Sequence, residues 1–188
     1  MKMGTFLSAA LSQPSNYSGA IMIRFNTSGQ PPTPGDIAAL ETKIGHKLPL
    51  ELVQAYSDPT IEFSYPNKFP IRRHENYYSD IAVAYEFSEL ADRYAYISDR
   101  FGLENMLPVA SDACGNFILI SLNEKSQYYR SIHFFDYDTR DLIKIAEDIQ
   151  GFIMAVECYA PSKLRPEELE GTSVAVSEEF RKRFLDSQ

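Results

Sequence analysis

Cys114 and the three histidines, His46, His74 and His133, are of types that could form a nucleophilic Cys–His pair. Their spacing gives that chemistry no support: no local signature surrounds Cys114, and the histidines are scattered along the chain. Asp136-x-Asp138-x-Arg140-Asp141 begins like a calcium loop, with Glu147 at the twelfth place. Arg140 stands where a ligand is needed and Asp141 where the loop needs glycine, so these acids read instead as the start of a helix. The nine glycines are dispersed singly, which leaves no glycine-rich cradle for phosphate. No carboxylate pair stands out as an acid–base couple. The sequence is therefore read as having no catalytic, cofactor-binding or metal-binding residues.

Binding chemistry is better supplied. There are twelve Tyr and twelve Phe but no Trp. Tyrosine combines a large apolar area with a polar tip, which suits it to anchor a protein contact. In the adjacent pairs Tyr77-Tyr78 and Tyr128-Tyr129, both rings cannot point inward from a strand, so one of each pair is expected at the surface. Coverage of sheet edges accounts for them equally well. Between residues 86 and 99 the acids Glu86, Glu89, Asp92 and Asp99 outnumber the single base Arg93. Together with Glu62, Tyr65, Tyr77 and Tyr78 from the 58–80 segment, they form the expected protein-contact set.

These residues need a scaffold. Ile21–Phe25 reads as a strand, and Ser28-Gly29-Gln30-Pro31-Pro32 breaks regular structure after it. Thr33 with Asp36 forms a capping box, Pro34 takes the first helical position, and Ile37, Leu40 and Ile44 make one apolar face. Gly45 stops that helix, and Leu48-Pro49 opens a second, closed by Asp58-Pro59. Ile61–Tyr65 alternates like a strand, Ile71–Glu75 reads as a loop or short edge strand, and Ile81 to Phe87 alternates again. Ser88 is positioned to cap a helix carrying Leu90, Tyr94, Ile97 and Phe101, with Gly102 at its end. Leu107–Ala110 reads as a strand. Asp112-x-x-Gly115-Asn116 is a turn, its Asp side chain read as serving local backbone N–H groups rather than a partner. Phe117–Leu122 is apolar on both faces and should be a central strand. Ser131–Phe135 returns beside it, and His133, alternating with core residues, reads as a packing or rim residue.

Thr139 is expected to cap a long helix striped by Leu142, Ile145, Ala146, Ile149, Phe152, Ile153 and Val156, with Cys158 buried near its end. Short turns between strands do not permit parallel crossovers. The expected fold is α+β: a mainly antiparallel sheet with helices packed on it, in one domain spanning residues 21–160. Residues 1–20 read as a loosely ordered lead. Residues 161–188 read as an extension in which Ser177 can cap a short helix docking through Phe180 and Phe184.

The 188 residues are 44% hydrophobic and 23% charged, as in a folded globular protein and unlike a disordered or fibrous one. The net charge of −8 argues against nucleic-acid binding, which needs cations to displace phosphate counterions. Two cysteines are too few for a disulfide framework. No stretch has the ~20 apolar residues of a membrane span, and the opening apolar run is too short for a secretory signal. A cytoplasmic protein is expected.

Pro32-Thr33-x-x-Asp36-Ile37-x-x-Leu40-Glu41-x-x-Ile44-Gly45-x-x-Leu48-Pro49 resembles the N-terminal signature of the SUKH superfamily, Smi–Knr type, named from a fungal cell-wall assembly regulator. Leu107-Pro108-Val109-Ala110-x-Asp112-x-x-Gly115-Asn116 resembles its central segment, and Phe135-Asp136-Tyr137-Asp138 and Phe152 also fit. The likeness covers roughly residues 20–160. It departs at Tyr56-Ser57-Asp58-Pro59, where the family usually carries Asn-Gly-Gly. The resemblance implies an α+β domain without catalytic residues, in which Thr33, Asp36, Glu41, Gly45, Leu48, Pro49, Asp112, Gly115 and Asn116 are structural. Many bacterial members are immunity proteins that bind and block a partner toxin, often a nuclease. Others, including the fungal ones, are regulatory or scaffold modules for resident proteins. The negative charge suits a basic toxin. A small-ligand binder or enzyme ranks third.

Overall fold

The computed structural model of the chain describes residues 21–27, 29–72 and 77–158, with only the backbone of Arg72 and Cys158. The expected lead at 1–20, the Ser177 helix, His74 and the burial of Cys158 lie outside the described residues.

Local signals start the fold. Thr33 caps α1 (Pro34–Ile44): its Oγ1 accepts from the Asp36 N–H at 3.2 Å, and the Asp36 carboxylate accepts from the Thr33 N–H at 2.9 Å. Gly45 ends the helix at φ 73°, a left-handed conformation that costs glycine little. The Glu41 carboxylate then accepts from the Leu48 N–H at 3.0 Å and pairs with Lys47, which fixes the turn into α2 (Leu50–Ser57). Leu48, Pro49, Leu52 and Tyr56 are buried behind it.

Among the described residues, three antiparallel sheets carry the strands. β1 (Ile21–Arg24) pairs with β2 (Glu62–Tyr65). β3 (Asn67–Arg72) lies between β4 (Tyr77–Ser79) and β10 (Glu157–Cys158). The main sheet runs β5 (Val83–Ala84), β6 (Met106–Ser111), β7 (Phe117–Ser121), β8 (Ile132–Phe135), β9 (Leu142–Ala146). All pairings are antiparallel, so the architecture is α+β as expected. β7 and β8 are buried at every position because both faces of the sheet are covered. On one face Phe134 meets Phe69 of β3 (ring centroids 6.4 Å apart), which packs on Phe152 of α4 (Ile149–Ala155) at 5.2 Å. On the other, Phe101 of α3 (Leu90–Phe101) meets Phe135 at 5.0 Å and Phe117 at 6.5 Å.

Three expectations are corrected. The long helix begun at Thr139 does not form. Residues 142–146 are strand β9, and the helix starts at Ile149, where Asp148 accepts from the Gly151 N–H at 2.7 Å. The backbone groups of β8 need a partner on that side, and β9 supplies it. Thr139 and the preceding acids instead build the β8–β9 turn: Asp136 Oδ1 accepts from the N–H groups of Asp138 and Thr139, both at 2.9 Å. The strand expected from Ile81 to Phe87 also shrinks to Val83–Ala84, and a 3-10 turn follows at Phe87–Glu89. Glu86 and Glu89, rather than Ser88, cap that turn.

Candidate protein-binding surface

Strand β4 was not read from the sequence, yet it displays Tyr77 and Tyr78. It forms an edge of its sheet, and both rings reach solvent, at 45% and 47% exposure. The adjacent residues of a strand point to opposite faces, so this three-residue edge strand leaves both faces uncovered at these positions. The Lys68 ammonium lies 5.0 Å from the Tyr78 ring centre. Ser79 anchors the strand: its hydroxyl donates to Asp112 Oδ2 at 2.7 Å.

Asp112 is buried and does much of the local bonding. Oδ1 accepts from the N–H groups of Cys114 (2.9 Å) and Asn116 (2.8 Å), and Oδ2 also accepts from Asn116 Nδ2 at 2.8 Å. Gly115 turns the chain at φ 87°. Asn116 Oδ1 then accepts from the Tyr137 N–H at 2.9 Å, tying this turn to the β8–β9 turn. Cys114 is an exposed free cysteine whose backbone N–H donates to the Asp112 carboxylate. Tyr128 is exposed and Tyr129 half-buried.

The expected acids fall on separate elements with different commitments. Glu62 on β2 pairs with Arg24 at 2.8 Å, and Tyr65, three residues on, is half-buried against the core. Glu86 accepts from the N–H and hydroxyl of Thr27. Glu89 accepts from the Glu86 N–H at 3.0 Å and pairs with Arg93 at 3.2 Å. The Glu86 N–H foremost, with Arg93, holds the Glu89 carboxyl below the usual carboxylate range. Arg93 in turn stacks 4.4 Å above the Tyr85 ring, whose hydroxyl is pushed up by burial. Asp92 and Asp99 on α3 are exposed and have no ion pair among the described residues. The structure thus commits Glu62, Glu86 and Glu89 to bonds within the fold and leaves Asp92 and Asp99 facing water.

Concavities lie elsewhere among the described residues. One, of about 460 Å³, sits between Asn26, the 30–33 segment, α1 and Phe87–Ala91, over the buried rings of Phe25 and Tyr56. Its polar rim is occupied by internal bonds, Asp36 to Thr33 and Glu86 to Thr27. Another, of about 470 Å³, is bordered by Met106, Tyr128, His133 and Lys144. His46 Nε2 lies 3.1 Å from the Glu104 carbonyl and His133 Nε2 2.8 Å from Ser131 Oγ, so neither imidazole approaches Cys114 among the described contacts. No helix of the described residues is long and apolar enough to cross a membrane.

The cap and stop of α1, the Glu41 bridge into α2 and the Asp112 turn are positions that carry the sequence likeness. A family model described as the SMI1 / KNR4 family (SUKH-1) matches residues 31–155, and the chain belongs to that family. No curated protein matches it.

Proposed function

We propose that this member of the SMI1 / KNR4 family is a non-enzymatic, cytoplasmic protein-binding module that neutralises a cognate bacterial toxin by covering its active or substrate-binding face. The observation that carries the binding reading is the Tyr77–Tyr78 pair, two rings exposed side by side on an edge strand. An edge that has no strand partner among the described residues offers backbone hydrogen bonds to a partner, and tyrosine there offers area at low entropic cost. Asp92 and Asp99 supply uncommitted negative charge, and the chain's net −8 would speed encounter with a basic toxin such as a nuclease.

Affinity capture on the full chain from its native cell tests the reading. The expected catch is a toxin domain whose toxicity is lost on mixing. In purified components, Asp92→Lys with Asp99→Lys should slow association, and Tyr77→Ala with Tyr78→Ala should speed dissociation, each about tenfold or more. Binding unchanged by all four substitutions would remove this surface from the interface. Capture only of resident signalling or envelope proteins would move the function to the scaffold role.

A further inference from the structure

Five arginine side chains are described, and they fall into two groups. Arg24, Arg93 and Arg130 are ion-paired, with Glu62, Glu89 and Glu51. Arg100 and Arg140 have no carboxylate partner among the described residues, although the chain is rich in acids. These two converge on one patch. The Arg140 guanidinium lies 4.4 Å from the Phe101 ring centre and 5.0 Å from that of Tyr137. The Arg100 guanidinium lies 5.6 Å from the Tyr137 ring centre and 5.8 Å from that of Tyr96, and its Nη2 donates to the Tyr137 hydroxyl at 2.7 Å. Both guanidiniums are exposed, as is Tyr96 at 41%.

The patch is braced from beneath. Phe101 meets Tyr137 at 5.6 Å, Tyr96 at 5.9 Å and the buried Phe135 at 5.0 Å. Arg140 holds its place at φ 66°, a backbone region that favours Gly or Asn. Backbone preference therefore does not explain an arginine there, and its stacked side chain does. Arg100 also suits the C-terminal turn of α3, which accounts for its charge but not for its convergence with Arg140. The turn carries acids of its own, but Asp136 serves the Asp138 and Thr139 N–H groups, and among the described residues no ion pair joins Asp138 or Asp141 to Arg100 or Arg140.

We propose that Arg100 and Arg140, stacked on Phe101, Tyr96 and Tyr137, form a docking site for an acidic segment of a partner protein. A stacked guanidinium keeps its outward N–H fork, which matches a carboxylate bidentately, and arginine with tyrosine is the composition of interface hot spots. The partner's class follows from charge. A nucleic acid or anionic membrane would meet the repulsion of a chain at −8 with two local cations to oppose it, and so would a second copy. A short acidic stretch on an otherwise neutral or basic protein avoids that penalty. The two arginines are opposite in sign to Asp92 and Asp99 of α3, the helix of Arg100, and the proposal does not depend on the toxin reading.

The test uses the full chain and a short peptide alternating Glu and Tyr, titrated at low salt while the arginine side-chain N–H resonances are followed. Shifts should concentrate at Arg100 and Arg140. Arg100→Gln with Arg140→Gln should weaken binding about tenfold or more while thermal melting stays unchanged. Arg100→Lys with Arg140→Lys keeps the charge but loses the planar fork, and should restore little. The proposal is overturned by an absence of binding, by equal binding to the Gln variant, or by full rescue with lysine. Tighter binding of oligothymidylate or of anionic vesicles would overturn it too, as would self-association that the Gln substitutions abolish.

Discussion

The side chain of Asn67 is hydrogen-bonded to both backbone groups of Ile81: Oδ1 accepts from the Ile81 N–H at 2.7 Å, and Nδ2 donates to the Ile81 carbonyl at 3.0 Å. Both residues are buried, so one amide side chain replaces a strand partner where the chain passes from β4 toward β5. Asn67→Leu keeps the branched outline but strands two buried backbone groups. It should cost about 2–4 kcal/mol, read as a lower denaturant midpoint with an unchanged slope. A loss under about 0.5 kcal/mol would mean that the segment repacks and finds other partners.

Asp112 joins the 112–116 turn to the strand that displays Tyr77 and Tyr78, through its bond to Ser79. Asp112→Ala removes the acceptor for two backbone N–H groups and two side-chain donors at once. The expected loss is about 3 kcal/mol, with Asp112→Asn intermediate because an amide keeps one acceptor. Hydrogen exchange should quicken at residues 77–79 as well as at 112–116. Protection unchanged at 77–79 would show that β3 alone holds the edge strand.

Thr33→Ala removes the α1 cap, leaving the Asp36 N–H without its acceptor. The expected cost is about 1 kcal/mol, with Thr33→Ser close to wild type. Melting temperatures of the two variants give the comparison. If Ala and Ser melt alike, water serves the helix end as well as the hydroxyl does.

How far the sequence could be read follows from where each signal lies. The caps of α1, the Gly45 and Gly102 stops and the Asp112 turn are built from residues within a few positions of one another, so short-range chemistry was enough to place them. The central strand Phe117–Ser121 was visible because burial on both faces leaves an unbroken apolar run. The β9–α4 region misled because Leu142, Ile145, Ala146 and Ile149 happen to fall at helical spacing. What decides the structure there is the backbone demand of β8, a non-local term absent from any window of sequence. Asp148 ahead of Ile149 was the available clue to the true helix start. The exposed pair Tyr77–Tyr78 was singled out by composition, but its placement on an edge strand depends on β3 and on the Ser79–Asp112 bond. The Arg100–Arg140 patch is assembled from α3 and the β8–β9 turn, and no spacing in the sequence announces it.

His133 gives the fold a dependence on pH whose sign can be worked out. The Ser131 hydroxyl donates to the Tyr128 carbonyl at 2.5 Å, so at His133 the same oxygen accepts, and the ring's Nε2–H is the donor at 2.8 Å. Nδ1 is buried without a partner among the described groups. Burial foremost, with the nearby Lys144 ammonium, pushes the imidazole below its ordinary value of 6.5. The native state therefore holds a neutral ring, while the unfolded chain takes up a proton near 6.5. Stability is complete above that value and falls as pH drops through it, by at most about 1.4 kcal/mol per pH unit, until the native ring also protonates. His133→Leu should flatten this contribution: the stability difference between wild type and variant, from denaturant titrations, should shrink or reverse in the variant's favour between about pH 7 and 5. A difference constant across that range would mean that the ring titrates in the native protein as it does in the unfolded chain.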